Sequence, residues 1–397
     1  MPSPKLYSIE DFDLKDQKVF IRTDFNVPVE EGKVEEHIRL KSALPTIQYA
    51  LENKAKVIIG SHRGRPEKNN KKNFSLEPFG YYLGNKLNCE VLFVEDIDSV
   101  IPSILLSSLN HKKIILLENL RFHTGEEAGD ISWAEKLASY VDIYINEAFS
   151  VSHRDHTSVM VLPQKVKKRG LGFSMQKERE TLDYIRKNSP APFVLLAGGV
   201  KVGDKVKVIS RLVDRLDTIL IGGVMAYTFL KAKGVYTGAA FIQKESLGMA
   251  EEFINRLKIR GKKLLLPIDH VVVPVANRQS PPQITDGVEI PEGFCPMDIG
   301  PKTVELFSKA LTGAGTVFWN GPFGKFEDSS FAKGTLAMCE SIAQCDDAFK
   351  VVGGGDSIAA VFKLNKQECF NYISTGGGAA LKYLEQGTLP GIHSLLS

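Results

Sequence analysis

Eleven short apolar runs, most separated by stretches of helical length, constrain this chain more than any other feature. They are Lys18–Ile21, Lys56–Gly60, Glu90–Val94, Lys113–Leu117, Val141–Ile145, Phe193–Leu196, Thr218–Ile221, Lys262–Leu266, Thr316–Trp319, Phe349–Val352 and Asn371–Ile373. Apolar, β-branched runs alternating with helices predict parallel βαβ units. They divide into five and six around a weak seam near Val166–Met175, which holds Lys165, Lys167, Lys168 and Arg169 just ahead of Gly170 and Gly172. A basic cluster of this kind reads by default as a solvated loop face. The 397 residues exceed one ordinary core, so two domains of similar size are expected. The expected class is α/β, with parallel-rich sheets flanked by helices.

Composition removes several functions. A net charge of +3 gives no reason for non-specific attraction to nucleic acid or membrane, so any basic character must be local. The five cysteines (Cys89, Cys295, Cys339, Cys345 and Cys369) are odd in number and form no C-x-x-C. That argues against a disulfide framework and a zinc site, and for a reducing compartment. Met1–Glu10 has no apolar signal region, and no apolar run reaches membrane-spanning length. A cytosolic protein is expected.

The ends of the predicted strands carry the chemistry. Val19–Pro28 alternates, with Ile21, Thr23, Phe25 and Val27 on one face and Arg22, Asp24 and Asn26 on the other. Pro28 predicts that pairing stops near it. On alternation alone, the polar trio fits the solvated face of an antiparallel strand. The rest of the first half favours a ligand site instead. Arg39 lies downstream, the second run leads into Ser61–Pro66 (Ser-His-Arg-Gly-Arg-Pro), and Arg121, His153, Arg154 and His156 follow later runs. In the second half, corresponding positions carry Ala197–Gly199, Gly222-Gly223, Asn320–Pro322, Gly353–Gly355 and Gly376–Gly378. Ligands bind outside the carboxyl ends of such strands. Guanidinium forks suit a compact polyanion, whereas glycine turns let backbone amides and helix N-termini approach a phosphate chain. Glycine for a tight turn alone explains any one pair, but less readily so many strand ends.

Three motifs sharpen this reading. Ala197–Lys205 has the glycine spacing of a Walker A loop, but Asp204 stands where its lysine belongs and no Ser or Thr follows Lys205. It remains a glycine turn with Lys201 and Lys205 spaced i, i+4. In Gly353–Ser357, Asp356 suits either Mg²⁺ or a helix cap. Gly376–Gly378 forms a second cradle after Thr375. No G-x-G-x-x-G opens a helix, which weakens a dinucleotide reading. His62, beside two arginines, suits an anion contact. His37, His111, His123, His270 and His393 read as ordinary surface or loop residues.

Taken together, these blocks resemble phosphoglycerate kinase. Val19–Pro28, Ser61–Pro66, Leu117–Phe122, Asn146–Arg154, Ala197–Lys205, Asn320–Phe326, Gly353–Ser357 and Gly376–Gly378 resemble that family's blocks in their order, over essentially the whole chain. The resemblance implies two Rossmann-like domains joined by a hinge. Residues 1–172 would bind 3-phosphoglycerate, 173–388 the nucleotide, and 389–397 would return to the first domain. It implies reversible, Mg²⁺-dependent phosphoryl transfer between 1,3-bisphosphoglycerate and ADP, in glycolysis and gluconeogenesis, by a monomer. Asp24, Phe25, Asn26, Arg39, His62, Arg63, Gly64, Arg65, Arg121 and Arg154 would line the phosphoglycerate site. Gly198, Gly199, Lys205, Gly222, Gly223, Asn320, Pro322, Glu327, Gly354, Gly355, Asp356 and Ser357 would line the nucleotide site. Asp356 would take the metal that accompanies ATP or ADP. Arg39, Lys201, Lys205, Gly376 and Gly377 would surround the phosphoryl group in transfer.

Arg63 stands where the family commonly has leucine, and Ser150 and Asp155 where glycine and alanine are usual. Arg63 either points to solvent or adds a guanidinium to the anion site. Two other readings remain: an NAD-dependent dehydrogenase, which lacks its fingerprint here, and a catalytically silent nucleotide-binding protein. Arg39, Lys201, Lys205 and Asp356 speak against silence.

Overall fold

The computed structural model describes residues 5–67, 70–97 and 103–396. Met1–Pro4 of the N-terminal segment, Ser397 of the C-terminal segment and the side chain of Asp204 lie outside the described residues. The chain forms two compact units, Met1–Glu180 with Thr388–Ser397, and Thr181–Gly387. Among the described residues no helix is long and apolar enough to cross a membrane.

The N-terminal unit is built on strands β1 (Tyr7–Ser8), β2 (Lys18–Arg22), β3 (Lys56–Gly60), β4 (Glu90–Val94), β5 (Lys113–Leu117), β6 (Ile143–Asn146) and β7 (Lys168–Leu171). They form one seven-stranded sheet in the order β1-β7-β6-β2-β3-β5-β4, and every pairing is parallel. Val19, Ile21, Val57, Ile59, Ile114, Leu116, Ile143 and Ile145 send their side chains into one core. On the other face Phe20 stacks on Tyr144, with ring centroids 5.9 Å apart. The strands are apolar on both faces because both faces are covered, the usual condition of a parallel sheet.

The expected seam is corrected here. Lys168–Leu171 is not a loop but β7, paired with β6. Gly170 permits this, since a Cβ there would press on the Tyr7 carbonyl of β1. Arg169 donates to the Leu396 carbonyl at 2.6 Å, and the Gly391 amide donates to the Ser152 carbonyl at 2.8 Å. The C-terminal segment thus packs on the N-terminal unit.

The C-terminal unit contains β8 (Phe193–Ala197), β9 (Thr218–Ile221), β10 (Lys263–Leu265), β11 (Thr316–Asn320), β12 (Phe349–Gly353) and β13 (Tyr372–Ser374). Their order is β10-β9-β8-β11-β12-β13, all parallel. This is the doubly wound order, with its switch point between β8 and β11. A three-stranded antiparallel sheet of His270–Pro274, Gln283–Ile284 and Phe294–Ile299 is inserted between β10 and β11. The sequence pattern missed it, because its strands carry Pro274 and Pro296 and little regular apolar alternation. His270 is correspondingly not a surface residue. It is fully buried, with Nε2 3.0 Å from the Val288 carbonyl.

Candidate active site

In the N-terminal unit the switch point lies between β2 and β6, and the polar residues gather there. Strand β2 ends at Arg22, well before Pro28, so Asp24 and Asn26 are loop residues rather than one face of a strand. Ser61 explains the early end. Its hydroxyl accepts from the Phe25 amide at 2.9 Å and donates to the Thr23 carbonyl at 2.8 Å, replacing ladder bonds that β3 no longer supplies. Phe25 turns its ring into the core, stacked on Phe79 at 5.4 Å. Its side chain is therefore structural and does not face the site.

The loop then folds back on itself. Asp24 accepts from the Asn26 amide at 3.1 Å. The Asn26 side chain accepts from the Gly64 amide at 2.9 Å. Arg39, one residue into the helix Ile38–Glu52, donates to the Asn26 carbonyl at 3.0 Å and lies 3.5 Å from Asp24 Oδ2. His37 caps that helix by accepting from the Arg39 amide. Gly64 has φ of +61° and no room for a Cβ against the Phe74 ring; it shapes the turn.

Arg63 takes neither sequence alternative. Its guanidinium is half-buried and donates to the carbonyls of Val27 (3.2 Å) and Asn73 (2.8 Å). It ties three loop segments together and faces neither bulk solvent nor an anion. Arg65, Arg121, Arg154 and His156 instead line a cavity of about 430 Å³, with Glu127 the single acidic residue among its lining. The sequence places His156 among the polar groups that follow the later runs but not among the expected site residues; the structure puts it in the cavity wall.

Beneath this cavity lies a buried charged pair. Arg22 and Glu126 are both fully buried, 4.0 Å apart, and joined through Ser158. Arg22 also lies 3.4 Å from His62 Nδ1. Burial, then the charges of Arg22 and Arg121, hold His62 well below the usual histidine range. Burial and the same two arginines push His156 down to about 3. Both imidazoles are neutral near pH 7, so they serve as hydrogen-bonding groups rather than acids, and the positive charge of the cavity rests on its arginines.

In the C-terminal unit the strand-end glycines are used differently from expectation. The amides of Gly198, Gly199, Gly222 and Gly223 donate to the carbonyls of Asn320, Pro322, Ala197 and Phe323, at 2.9–3.0 Å. A Cβ at Gly198 or Gly223 would strike the Pro322 carbonyl, and one at Gly222 the Phe323 ring. These four glycines interlock the loops after β8, β9 and β11 and leave no amide for a phosphate. Free amides remain at the start of the helix Gly355–Lys363, whose cap is Gly354 with φ of +93°. A second such start is the helix Gly378–Gln386, capped by Gly377. Ser357 is buried and accepts from the Gly321 amide at 2.7 Å.

Lys205 folds back from the helix Val202–Leu212 to donate to the Gly198 carbonyl and, at 2.7 Å, to the Asn320 carbonyl. Lys201 precedes that helix as its cap and is exposed. Burial pushes the Lys205 ammonium down to about 8, against the opposing pull of Asp356. A cavity of about 350 Å³ adjoins it, lined by Gly199, Gly223, Pro322, Phe323, Glu327 and Asp356 among others. Asp356 is not the helix cap; it lies in the first turn and forms no hydrogen bond among the described residues. Burial, then the negative charge of Glu327, raises its carboxyl. A carboxylate left unengaged beside a second one suits Mg²⁺, which takes few protein carboxylates and completes its shell with phosphate oxygens.

Thus the structure pairs an arginine-lined cavity on one α/β unit with a lysine, a carboxylate and open helix N-termini on the other. Comparison with known proteins agrees. A family model described as phosphoglycerate kinase matches residues 9–387. The phosphoglycerate kinase of Bdellovibrio bacteriovorus is 45% identical over 388 residues, 98% of this chain and 96% of its own. That of Anaeromyxobacter is 42% identical over 393 residues, 98% and 99% of the two chains. The structure of phosphoglycerate kinase from Coxiella burnetii aligns with a TM-score of 0.86 at 35% identity, covering 98% of this chain and 99% of that one. The enzyme from Pyrococcus horikoshii aligns at 0.85 and 31%, covering 98% of both. On matches of this extent and identity, the chain belongs to the phosphoglycerate kinase family.

Proposed function

We propose that this chain catalyses reversible phosphoryl transfer between 1,3-bisphosphoglycerate and ADP, with phosphoglycerate on the N-terminal unit and nucleotide on the C-terminal unit. The observation that carries the assignment is the division of charge. The Arg65–Arg121–Arg154 cavity suits the 3-phosphate, since guanidinium forks match phosphate oxygens. Asp24 suits the C2 hydroxyl as an acceptor, and Arg39 the carboxylate end. The amides of the Gly354–Ser357 and Gly376–Gly378 turns suit the nucleotide phosphates. Asp356 would hold Mg²⁺, which supplies charge neutralisation at the phosphate oxygens when bound. Mg²⁺ dependence, a cytoplasmic location and a monomeric state belong to the same proposal.

The mechanism follows from the groups present. The C1 carboxylate of 3-phosphoglycerate is already ionised at neutral pH, so no base is needed to create the nucleophile. The lowered basicity of His62 and His156, held down by burial and neighbouring arginines, is consistent with that. Acceleration must then come from alignment and neutralisation of charge. Arg39, Lys201, Lys205 and the Gly376-Gly377 amides would surround the group in flight. Ligands held on separate units react only when the units bring them together, so closure about a hinge is part of the proposal.

Chemical-shift mapping tests the site assignment. 3-Phosphoglycerate should perturb the Asp24–Asn26, Arg65 and Arg154 amides, and MgADP those of Gly354–Ser357. Both ligands perturbing one and the same unit would refute it. Arg65→Ala should raise the phosphoglycerate KM and Kd by roughly tenfold or more, with a smaller change in kcat. An unchanged Kd would remove Arg65 from the site.

The lowered Lys205 value also gives a pH dependence. The charged ammonium attracts phosphate, and its charge in the nucleotide-free protein is lost as pH rises through about 8. ADP affinity should therefore fall above that pH, approaching about tenfold per pH unit. Titration calorimetry across this range checks it. A flat profile would contradict the role of the charge, and Lys205→Ala should flatten it.

A further inference from the structure

Ser150 lies in the short turn Phe149–Val151 after β6. Phe149 and Val151 are both buried, which pins the turn and leaves Ser150 between them at the strand ends. Its hydroxyl donates to Asp24 Oδ2 at 2.5 Å. Arg39 approaches the same oxygen, but only to 3.5 Å, and its Nη1 donates instead to the Asn26 carbonyl at 3.0 Å. Asp24 Oδ1 already accepts from the Asn26 amide. The Arg39 guanidinium forms no other hydrogen bond among the described residues.

We propose that Ser150 is a positioning residue for phosphoglycerate binding: by donating to Asp24 Oδ2, it competes with Arg39 for that oxygen, weakens the pull of Asp24 on Arg39 and leaves that guanidinium open for the substrate. This rests on the reading that Asp24 and Arg39 face the phosphoglycerate. Without the hydroxyl, Asp24 Oδ2 has lost a donor beside a flexible cation. Arg39 can then form the close, charge-assisted pair that such groups favour. The substrate must break that pair before Arg39 can bind it. With its O–H committed to the hydrogen bond with Asp24, Ser150 also presents only acceptor capacity outward. It therefore adds to Asp24 as an acceptor for the substrate hydroxyl and offers nothing to a phosphate.

The test compares Ser150→Ala, Ser150→Thr and Asp24→Ala by titration with 3-phosphoglycerate and by steady-state kinetics. Ser150→Ala should raise the phosphoglycerate Kd and KM roughly five- to tenfold. The ATP KM and the melting temperature should stay unchanged. Ser150→Thr, which retains the hydroxyl, should restore most of the affinity. Unaltered phosphoglycerate affinity in Ser150→Ala, with affinity lost in Asp24→Ala, would overturn the role of Ser150 and leave the site assignment standing. Unaltered affinity in both would overturn the assignment of Asp24 and the proposal with it. A threonine variant as weak as the alanine variant would show that the hydroxyl is not the determinant.

Discussion

Replacing Lys205 with alanine is expected to lower kcat by at least roughly a hundredfold, with little change in phosphoglycerate affinity. The ammonium is held by the Gly198 and Asn320 carbonyls at the switch point of the C-terminal sheet. It is thus preorganised at a strand end, where a phosphate chain would lie. A group fixed in this way requires little reorganisation as charge develops in the transition state. Removing one donor of this type typically costs about 3–4 kcal/mol of transition-state stabilisation. The split between parameters is diagnostic, because Lys205 belongs to the C-terminal unit, where the nucleotide is proposed to bind, and phosphoglycerate is proposed to bind the other. Single-turnover transfer from ATP measures the chemical step. Near-normal kcat in Lys205→Ala would remove the residue from the mechanism.

The largest expected effect on stability comes from Trp319→Ala. Trp319 is fully buried near the C-terminal end of β11, the strand beside the switch point. It packs with Leu196, Phe323 and Met338 in the C-terminal core, and its Nε1 donates to the Gly321 carbonyl at 2.9 Å. Truncation removes a large apolar surface, leaves a cavity and frees a carbonyl in the loop that interlocks with Gly198. A loss of about 3–5 kcal/mol is expected, read as a lower denaturation midpoint for the C-terminal unit. Two units of this size need not unfold together, so probes in each unit should be followed separately. An unshifted C-terminal transition would contradict the packing described here.

Much of the fold was legible because β-branched runs and helical spacers differ in period. Each of the eleven runs overlaps a strand. Three features of the candidate site were not legible, each for a physical reason. Val19–Pro28 alternates like a strand, but a side-chain hydroxyl, Ser61, replaces the ladder after Arg22. Gly198 and Gly223 resemble phosphate-binding glycines. Whether an amide meets a ligand or a neighbouring loop depends on tertiary packing, and here Asn320 and Phe323 take those amides. Arg63 resembles its neighbouring arginine in sequence, yet nearby carbonyls capture it, while Arg65 stays exposed beside the cavity. Local pattern specifies which groups are present; packing decides which of them are already engaged.

In the proposed mechanism, charge on two separate α/β units, rather than an acid–base pair, carries phosphoryl transfer to a carboxylate. The most direct measurement mixes the purified chain with MgATP and 3-phosphoglycerate and follows acyl phosphate formation by a coupled assay, beside the Lys205→Ala and Arg65→Ala variants. Rapid transfer by the unsubstituted chain is expected, with a kcat defect in Lys205→Ala and a KM defect in Arg65→Ala. No transfer by the folded, unsubstituted chain, or full activity in both variants, would contradict it.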